Sequence, residues 1–264
     1  MLEAKDISFR YGSKLIIDNV SIRVEPGELL VILGANGAGK STLIKILCGF
    51  LKPCSGIVEY DGKNIFGNSA KWLARKRAVL EQSSTCAFDL KVREIVELGL
   101  YAAEGAFSKI PNGREIAEIS LEKAGLYGFA HRKYFELSGG EMRRVQLART
   151  LCQLESSGAK ILFLDEPLAG LDPAHIHTAM LAAKDFTKRG GCAVAVLHEP
   201  NTAISYADKA ALLLNGKILE SGDSNTVLRA ENLSKIYSAP CQEAFTRDGK
   251  RAVIFPFQGN IGQE

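Results

Sequence analysis

The sequence predicts an α/β fold built on a parallel sheet that is covered on both faces. Two observations carry this. Residues 28–34 (ELLVILG), 160–165 (KILFLD) and 192–198 (CAVAVLH) are nearly continuous apolar runs, the pattern of strands buried from both sides. Stretches with apolar residues at helical spacing lie between the runs, and alternation of strands with helices implies parallel pairing.

The remaining elements follow in chain order. Residues 2–9 and 15–24 alternate apolar and polar side chains, as half-buried strands do. Pro26-Gly27 marks a turn before the first buried strand. That strand runs into a glycine-rich loop and a helical stretch over 40–50. IVEYDG (57–62) reads as a short strand ending in an Asp-Gly turn, and RAVLEQ (77–82) as another strand. Residues 92–103 and 114–125 have helical spacing. The stretch from 83 to about 150–155 is helix-rich and interrupts the sheet pattern, so it is expected to be an inserted helical subdomain. A helix over 173–189 separates the last two buried strands. In ALLLNGKILE (211–220), Asn215-Gly216 between apolar runs signals a hairpin. EAFTRDGKRAVIF (243–255) repeats that logic around Asp248-Gly249. The chain thus reads as one domain over 1–240 with a short C-terminal hairpin extension over 241–264. No internal repeat is visible.

Composition narrows the class. A chain of 264 residues, 46% hydrophobic and 24% charged, can bury a substantial core. A net charge of +3 and the lack of a dense basic stripe argue against nucleic acid as a partner. The charged start MLEAKDISF has no signal-like segment, and no run approaches the roughly eighteen apolar residues of a membrane span. A cytosolic protein able to dock on a membrane partner is expected. The six cysteines are scattered without a CxxC pair and read as reduced, mostly buried thiols.

The chemistry sits where strands end. Gly34-Ala35-Asn36-Gly37-Ala38-Gly39-Lys40-Ser41 fits the G-x-x-x-x-G-K-[ST] phosphate loop between a strand and a helix. Its glycines let successive backbone N–H groups curl around β- and γ-phosphates, and the helix start adds partial positive charge. Lys40 neutralises phosphate, Ser41 offers a hydroxyl to Mg²⁺, and Thr42 bonds phosphate. ILFLD ends in Asp165, placed to hold Mg²⁺ through water. Glu166 follows, where a carboxylate can take a proton from an attacking water. Gln82 and His198 close two further strands. The carboxyl ends of strands in such a sheet face the ligand crevice. Gln82 can therefore reach Mg²⁺ or the γ-phosphate, and His198 can bond the γ-phosphate and steady the water. Tyr11 is either a platform for adenine or a plain surface aromatic. Ser138, Gly139 and Gly140 open a helix whose N–H groups and positive end suit an anion, although Ser138 lies 98 positions after Lys40. His175 and His177 are two apart on a helix and face different ways, so no metal pair is expected there. His131, in a basic stretch, reads as a solvated face, and Trp72 as packing within or at the edge of its lobe.

In order and spacing these motifs resemble the ATP-binding-cassette (ABC) ATPases. The likeness runs from residue 1 to about 240: GANGAGKS as Walker A, Gln82 as the Q-loop glutamine, LSGGE (137–141) as the signature, ILFLD with Glu166 as Walker B, AGLD (169–172) as the D-loop, and His198 as the switch histidine. It implies a P-loop NTPase core with an antiparallel β subdomain and an inserted helical subdomain, using ATP and Mg²⁺. It also implies that Ser138, Gly139 and Gly140 cap the γ-phosphate bound by a second copy. Two chains would then sandwich two ATPs head to tail, with Asp172 linking the two sites. Three classes of cassette are open: transporter, DNA-repair or chromosome ATPase, and translation factor. The spacing from Lys40 to Ser138 leaves no room for the coiled coil of the second, and only one cassette is present, whereas the third usually has two.

With no span in the chain, the permeases are expected to be two separate subunits, met in a groove lined by the segment after Gln82. LEAKDISFRYG, the QSS after Gln82, SGGEMRRVQLART and AVLHEPNTAISYAD resemble the iron-chelate, haem and cobalamin importer ATPases, the haem importers most, with ferric siderophore or cobalamin as the alternative cargo. That layout places the chain peripherally on the cytoplasmic face of the inner membrane, a periplasmic binding protein being met only indirectly. No residue here is expected to touch cargo. The sequence departs from the family in LDEPLAGLD, in a segment 86–91 without proline, and in HEPN after His198, where Pro200 is expected to bend the chain early.

Overall fold

A computed structural model of the chain describes residues 1–81, 89–104, 110, 112–166 and 173–256. Alternating burial sets the first two strands. β1 (Leu2–Tyr11) and β2 (Lys14–Val24) pair antiparallel, from Leu2 opposite Val24 to Tyr11 opposite Lys14. The phase slips once in each strand. Asp6 (φ 50°) shifts burial from Ala4 to Ile7, and Asn19 (φ 51°) shifts it from Ile17 to Val20. Each of these left-handed residues donates its N–H to a serine on the other strand, Asp6 to Ser21 Oγ and Asn19 to Ser8 Oγ. The bulge therefore leaves neither N–H unsatisfied.

β3 (Leu29–Leu33) is buried throughout. Leu29, Val31 and Leu33 enter one core and Leu30 and Ile32 another, so both faces of this strand are covered. It feeds α1 (Lys40–Leu47), which is followed by β4 (Ser55–Tyr60), β5 (Lys63–Asn64), α2 (Ala70–Lys76) and β6 (Arg77–Leu80). Between β6 and the next strand stand α3 (Val92–Glu97), α4 (Tyr101–Glu104), α5 (Gly113–Lys123) and α6 (Gly139–Ser157). The chain then alternates as β7 (Ile161–Asp165), α7 (Pro173–Lys188), β8 (Cys192–Val196), α8 (Pro200–Tyr206) and β9 (Lys209–Leu214). It ends with β10 (Lys217–Asp223), α9 (Ser224–Val227), α10 (Ala230–Tyr237), β11 (Gln242–Phe245) and β12 (Arg251–Ile254).

Among the described residues, the main sheet has the order β10-β9-β3-β8-β7-β6. Its neighbours are parallel except at the β9–β10 edge. An antiparallel sheet, β2-β1-β4-β5, lies over one face, with α1 packed between β2 on that side and β7 and β8 on the other. One core, with Ile7, Ile17, Leu43, Leu47 and Phe163, fills that gap. A second core joins the opposite face to α3, α5, α6, α7 and the C-terminal helices. Each fully buried Leu, Ile or Phe of this kind contributes roughly 1.5–3 kcal/mol.

Two local features bear on the site. The helical pattern expected over 92–103 is broken by a 3₁₀ turn at Leu98–Leu100. Gly99 sits against the backbone of α6 there, where a Cβ would lie 2.5 Å from the Arg149 carbonyl oxygen and 2.9 Å from the Gln153 nitrogen. The β9–β10 turn uses Asn215 (φ 48°) and Gly216 (φ 79°), the left-handed pair of a tight hairpin. Gly216 donates its N–H to the Ala38 carbonyl at 3.0 Å, which ties this hairpin to the loop before α1.

Candidate active site

The parallel strands β3, β6, β7 and β8 end on one side, and their ends carry the charged groups. After β3 the chain turns through 34–39 into α1. Gly37 and Gly39 have φ of 79° and 105°, a conformation that side chains with a Cβ rarely adopt. A Cβ on Gly34 would lie 2.4 Å from the Leu213 carbonyl, so the loop is pressed onto β9. Ala35 is half-buried, Asn36 exposed and Ala38 buried, while Ser41 and Thr42 are half-buried in the first turn of α1. Lys40, only 4% exposed, donates from Nζ to the carbonyls of Gly34 (2.8 Å) and Ala35 (3.0 Å). Burial pushes its pKa down, against the nearby charges of Glu166 and Asp165.

Asp165, the last residue of β7, is 5% exposed. Its Oδ1 is buried without a hydrogen-bond partner. Burial first, then the Glu166 carboxylate, pushes its pKa up to about 6, with Lys45 and Lys40 opposing. A buried carboxylate oxygen with no hydrogen-bond partner suits a hard divalent cation, and Ser41 carries its hydroxyl in the first turn of the helix that packs on β7. These donors fit Mg²⁺.

Glu166 follows in a left-handed conformation, φ 46°. This turns the chain off the strand end. Its Oε1 lies 2.7 Å from His198 Nε2, with the glutamate largely buried and the imidazole 45% exposed. An imidazole N–H there donates to the carboxylate and fixes its orientation. Pro200 does not bend the chain away. It is the first residue of α8, where its fixed φ is pre-organised and its missing N–H costs nothing, and Glu199 takes the cap position. His198 thus reaches Glu166 with the proline in place. The structure brings Lys40, Asp165, Glu166 and His198 to one place; Gln82 and Asp172 lie outside the described residues.

Ser138 caps α6. It accepts from the Glu141 N–H at 3.3 Å, and Glu141 Oε2 accepts from the Ser138 N–H at 2.7 Å. This capping box uses two donors and leaves the glycine-rich first turn facing outward. Ser138 and Gly139 are exposed and Gly140 half-buried, and a Cβ at Gly139 would meet nothing within 4 Å. The Ser138 N–H holds the Glu141 carboxyl below its usual range. Tyr11, 54% exposed at the end of β1, has Phe9 packed edge-on at 4.8 Å.

The remaining candidates have ordinary surroundings. His177 Nδ1 pairs with the Tyr206 hydroxyl, and among the described residues no group of three or more His, Cys, Asp or Glu side chains gathers as a metal site. Trp72 stacks parallel to Tyr60 at 6.4 Å, and His131 is exposed. Cys48, Cys152 and Cys192 are buried free thiols. Sequence reasoning passed over Tyr237, whose hydroxyl bonds the His198 carbonyl, because no motif spacing links the two positions.

A phosphate loop on β3 beside a carboxylate pair on β7 defines a P-loop nucleotide-binding ATPase. Residues 17–169 match the family model described as ABC transporter. The chain is 43% identical over 242 residues to the hemin import ATP-binding protein of Bartonella henselae, covering 90% of both chains. It is 37% identical over 257 residues to the hemin import ATP-binding protein of Methylobacillus flagellatus, covering 96% of this chain and 95% of that one. The dimeric structure of a bacterial ABC transporter cassette aligns with a TM-score of 0.75 at 28% identity, covering 85% of this chain and 99% of that one. The chain belongs to the ABC transporter ATPase family. No helix among the described residues is long and apolar enough to cross a membrane.

Proposed function

We propose that the chain is the ATP-hydrolysing subunit of a bacterial haem importer. Two copies would act together beneath two membrane-spanning permease subunits, at the cytoplasmic face of the inner membrane. The observation that carries the cargo is likeness over nine-tenths of the chain to proteins named for hemin import. Cargo passes through the permeases, with a periplasmic binding protein met only through them, so this chain needs no haem site and no nucleic-acid surface.

The site supports a direct hydrolysis. The glycine loop from Gly34 to Gly39 wraps the β- and γ-phosphates with backbone N–H groups, Lys40 neutralises them, and Tyr11 stacks on adenine. Ser41 and Asp165, with Gln82, would hold Mg²⁺, which supplies positive charge to the phosphate oxygens. Glu166 accepts a proton from water as its oxygen attacks the γ-phosphorus and the bond to the ADP oxygen breaks. His198, bonded to Glu166 at 2.7 Å, aims that carboxylate. In each copy Ser138 and Gly139 are exposed and Gly140 half-buried, which supports their use as a cap on the partner's γ-phosphate, with Asp172 at the junction.

Reconstitution with the membrane partners in proteoliposomes tests the cargo. ATP-driven uptake of haem, lost in E166Q, is expected. Uptake of a ferric siderophore or cobalamin in place of haem would overturn the assignment.

A further inference from the structure

The loop carrying His198 is held from behind by the C-terminal unit, and we propose that Tyr237 and Asn201 are positioning residues for His198. This rests on the role given to His198 above. Four bonds bracket the loop. Leu197 donates its N–H to the Ile32 carbonyl at 3.2 Å, anchoring the strand side. The Tyr237 hydroxyl, at the end of α10, donates to the His198 carbonyl at 3.2 Å. Asn201, the second residue of α8, pairs with the backbone of β12: its Oδ1 accepts from the Val253 N–H at 2.8 Å, and its Nδ2 donates to the Val253 carbonyl at 3.1 Å. The side chain thus reads β12 as a neighbouring strand would, which joins the terminal hairpin to the helix that starts beside His198.

The supports are themselves fixed. The Tyr237 ring meets Phe255 edge-on at 5.5 Å. Leu233, Ile236 and Val253 are buried in the core shared with β9. The His198 imidazole is 45% exposed, so solvent-side packing does not select its rotamer. Its reach to Glu166 is set instead by where its backbone stands. A displacement of about 1 Å at a catalytic group can cost on the order of 10²-fold in rate, so a clamp on the carbonyl of this residue acts on turnover more than on binding.

Y237F removes one hydroxyl and keeps the ring against Phe255. It is expected to lower kcat about three- to tenfold, the range for one lost hydrogen bond, with KM for ATP unchanged and Tm lowered by no more than a few degrees. N201A is expected to lower kcat in the same way. Neither change should lower kcat further in an H198A background. The His198 imidazole resonance gives a second readout, assignable because the chain has only 4 histidines; it is expected to shift in Y237F. Wild-type kcat in both variants, an unshifted resonance, or equal losses with and without His198 would overturn the inference while leaving the reading of the site intact. Wild-type turnover in H198A would remove His198 from the chemistry, and the inference with it.

Discussion

Asp165 and Glu166 are adjacent carboxylates in different surroundings. Asp165 ends a fully buried strand with one oxygen unpartnered and a pKa pushed up to about 6. Glu166 is turned by a left-handed backbone toward His198. The two neighbours can therefore do different work, one as a cation ligand and one as a base. E166Q keeps the shape of the side chain and loses its basicity. It is expected to bind ATP as the parent does and to hydrolyse it about 10²–10⁴-fold more slowly, read by single-turnover assay; parental turnover would exclude Glu166 as the base. Asp165 gives a pH prediction for the nucleotide-free protein in chelator. Its raised pKa means that the folded state holds the proton more tightly than the unfolded chain between about pH 4 and 6. The folded state therefore loses stability as pH rises through that window and Asp165 ionises. D165N is expected to be more stable than the parent at pH 8, by on the order of 2 kcal/mol. The gain should vanish near pH 4, and a gain independent of pH in a melting series would refute the burial argument. The sequence placed Asp165 at the end of an apolar strand and Glu166 just past it, and so suggested a cation ligand beside a base. The 2.7 Å contact with His198 was not legible, because it joins the ends of separate strands across a turn that no local pattern specifies.

At the scale of elements, α6 has its signature at one end and its anchor at the other. Gln153 Nε2 donates to the carbonyls of Ala74 and Arg77, at 2.9 and 3.0 Å, tying the C-terminal half of α6 to α2 and β6. Gly99 lets α3 and its 3₁₀ turn lie against the same stretch of α6. G99A is expected to cost about 1–3 kcal/mol, because its methyl meets backbone atoms that have no rotamer to yield. Chemical denaturation measures this, and unchanged stability would show that the two elements separate freely. The sequence disclosed strands of two kinds well. Continuous apolar runs gave β3, β7 and β8, and the Asn215-Gly216 turn placed the β9–β10 hairpin. It left α2, α8 and α10 undrawn. Each is at most eight residues long, too short for helical spacing to stand out, and each takes its stability from the surface on which it packs. Pro200 misled for a related reason: the same residue that breaks a helix interior starts one, and the strand-to-helix junction decides which.

At the scale of the whole molecule, the phosphate loop and the signature belong to different parts of the chain, and Gly139 of the signature is exposed, with nothing within 4 Å of where a Cβ would stand. The α/β architecture was legible from apolar runs alternating with helical stretches, and the family from motif order, because each motif is a local turn whose chemistry depends on residue type. How two copies would meet entered only through the resemblance to ABC ATPases, since a sequence records no surface shape. The proposed dimer makes a prediction that a single copy does not. S138R places a long cation where the capping serine stands, while the phosphate loop of the same chain stays intact. ATP affinity of the monomer should then be unchanged, because Lys40 and the loop around it lie on other elements. Dimerisation should fail, because the cap that each copy offers its partner is blocked. Combining the change with E166Q separates the two effects: E166Q alone is expected to run as an ATP-dependent dimer in light scattering, and the double variant as a monomer that still binds ATP. If the double variant dimerises as readily as E166Q, the first turn of α6 is not the cap, and each copy must complete its site by itself.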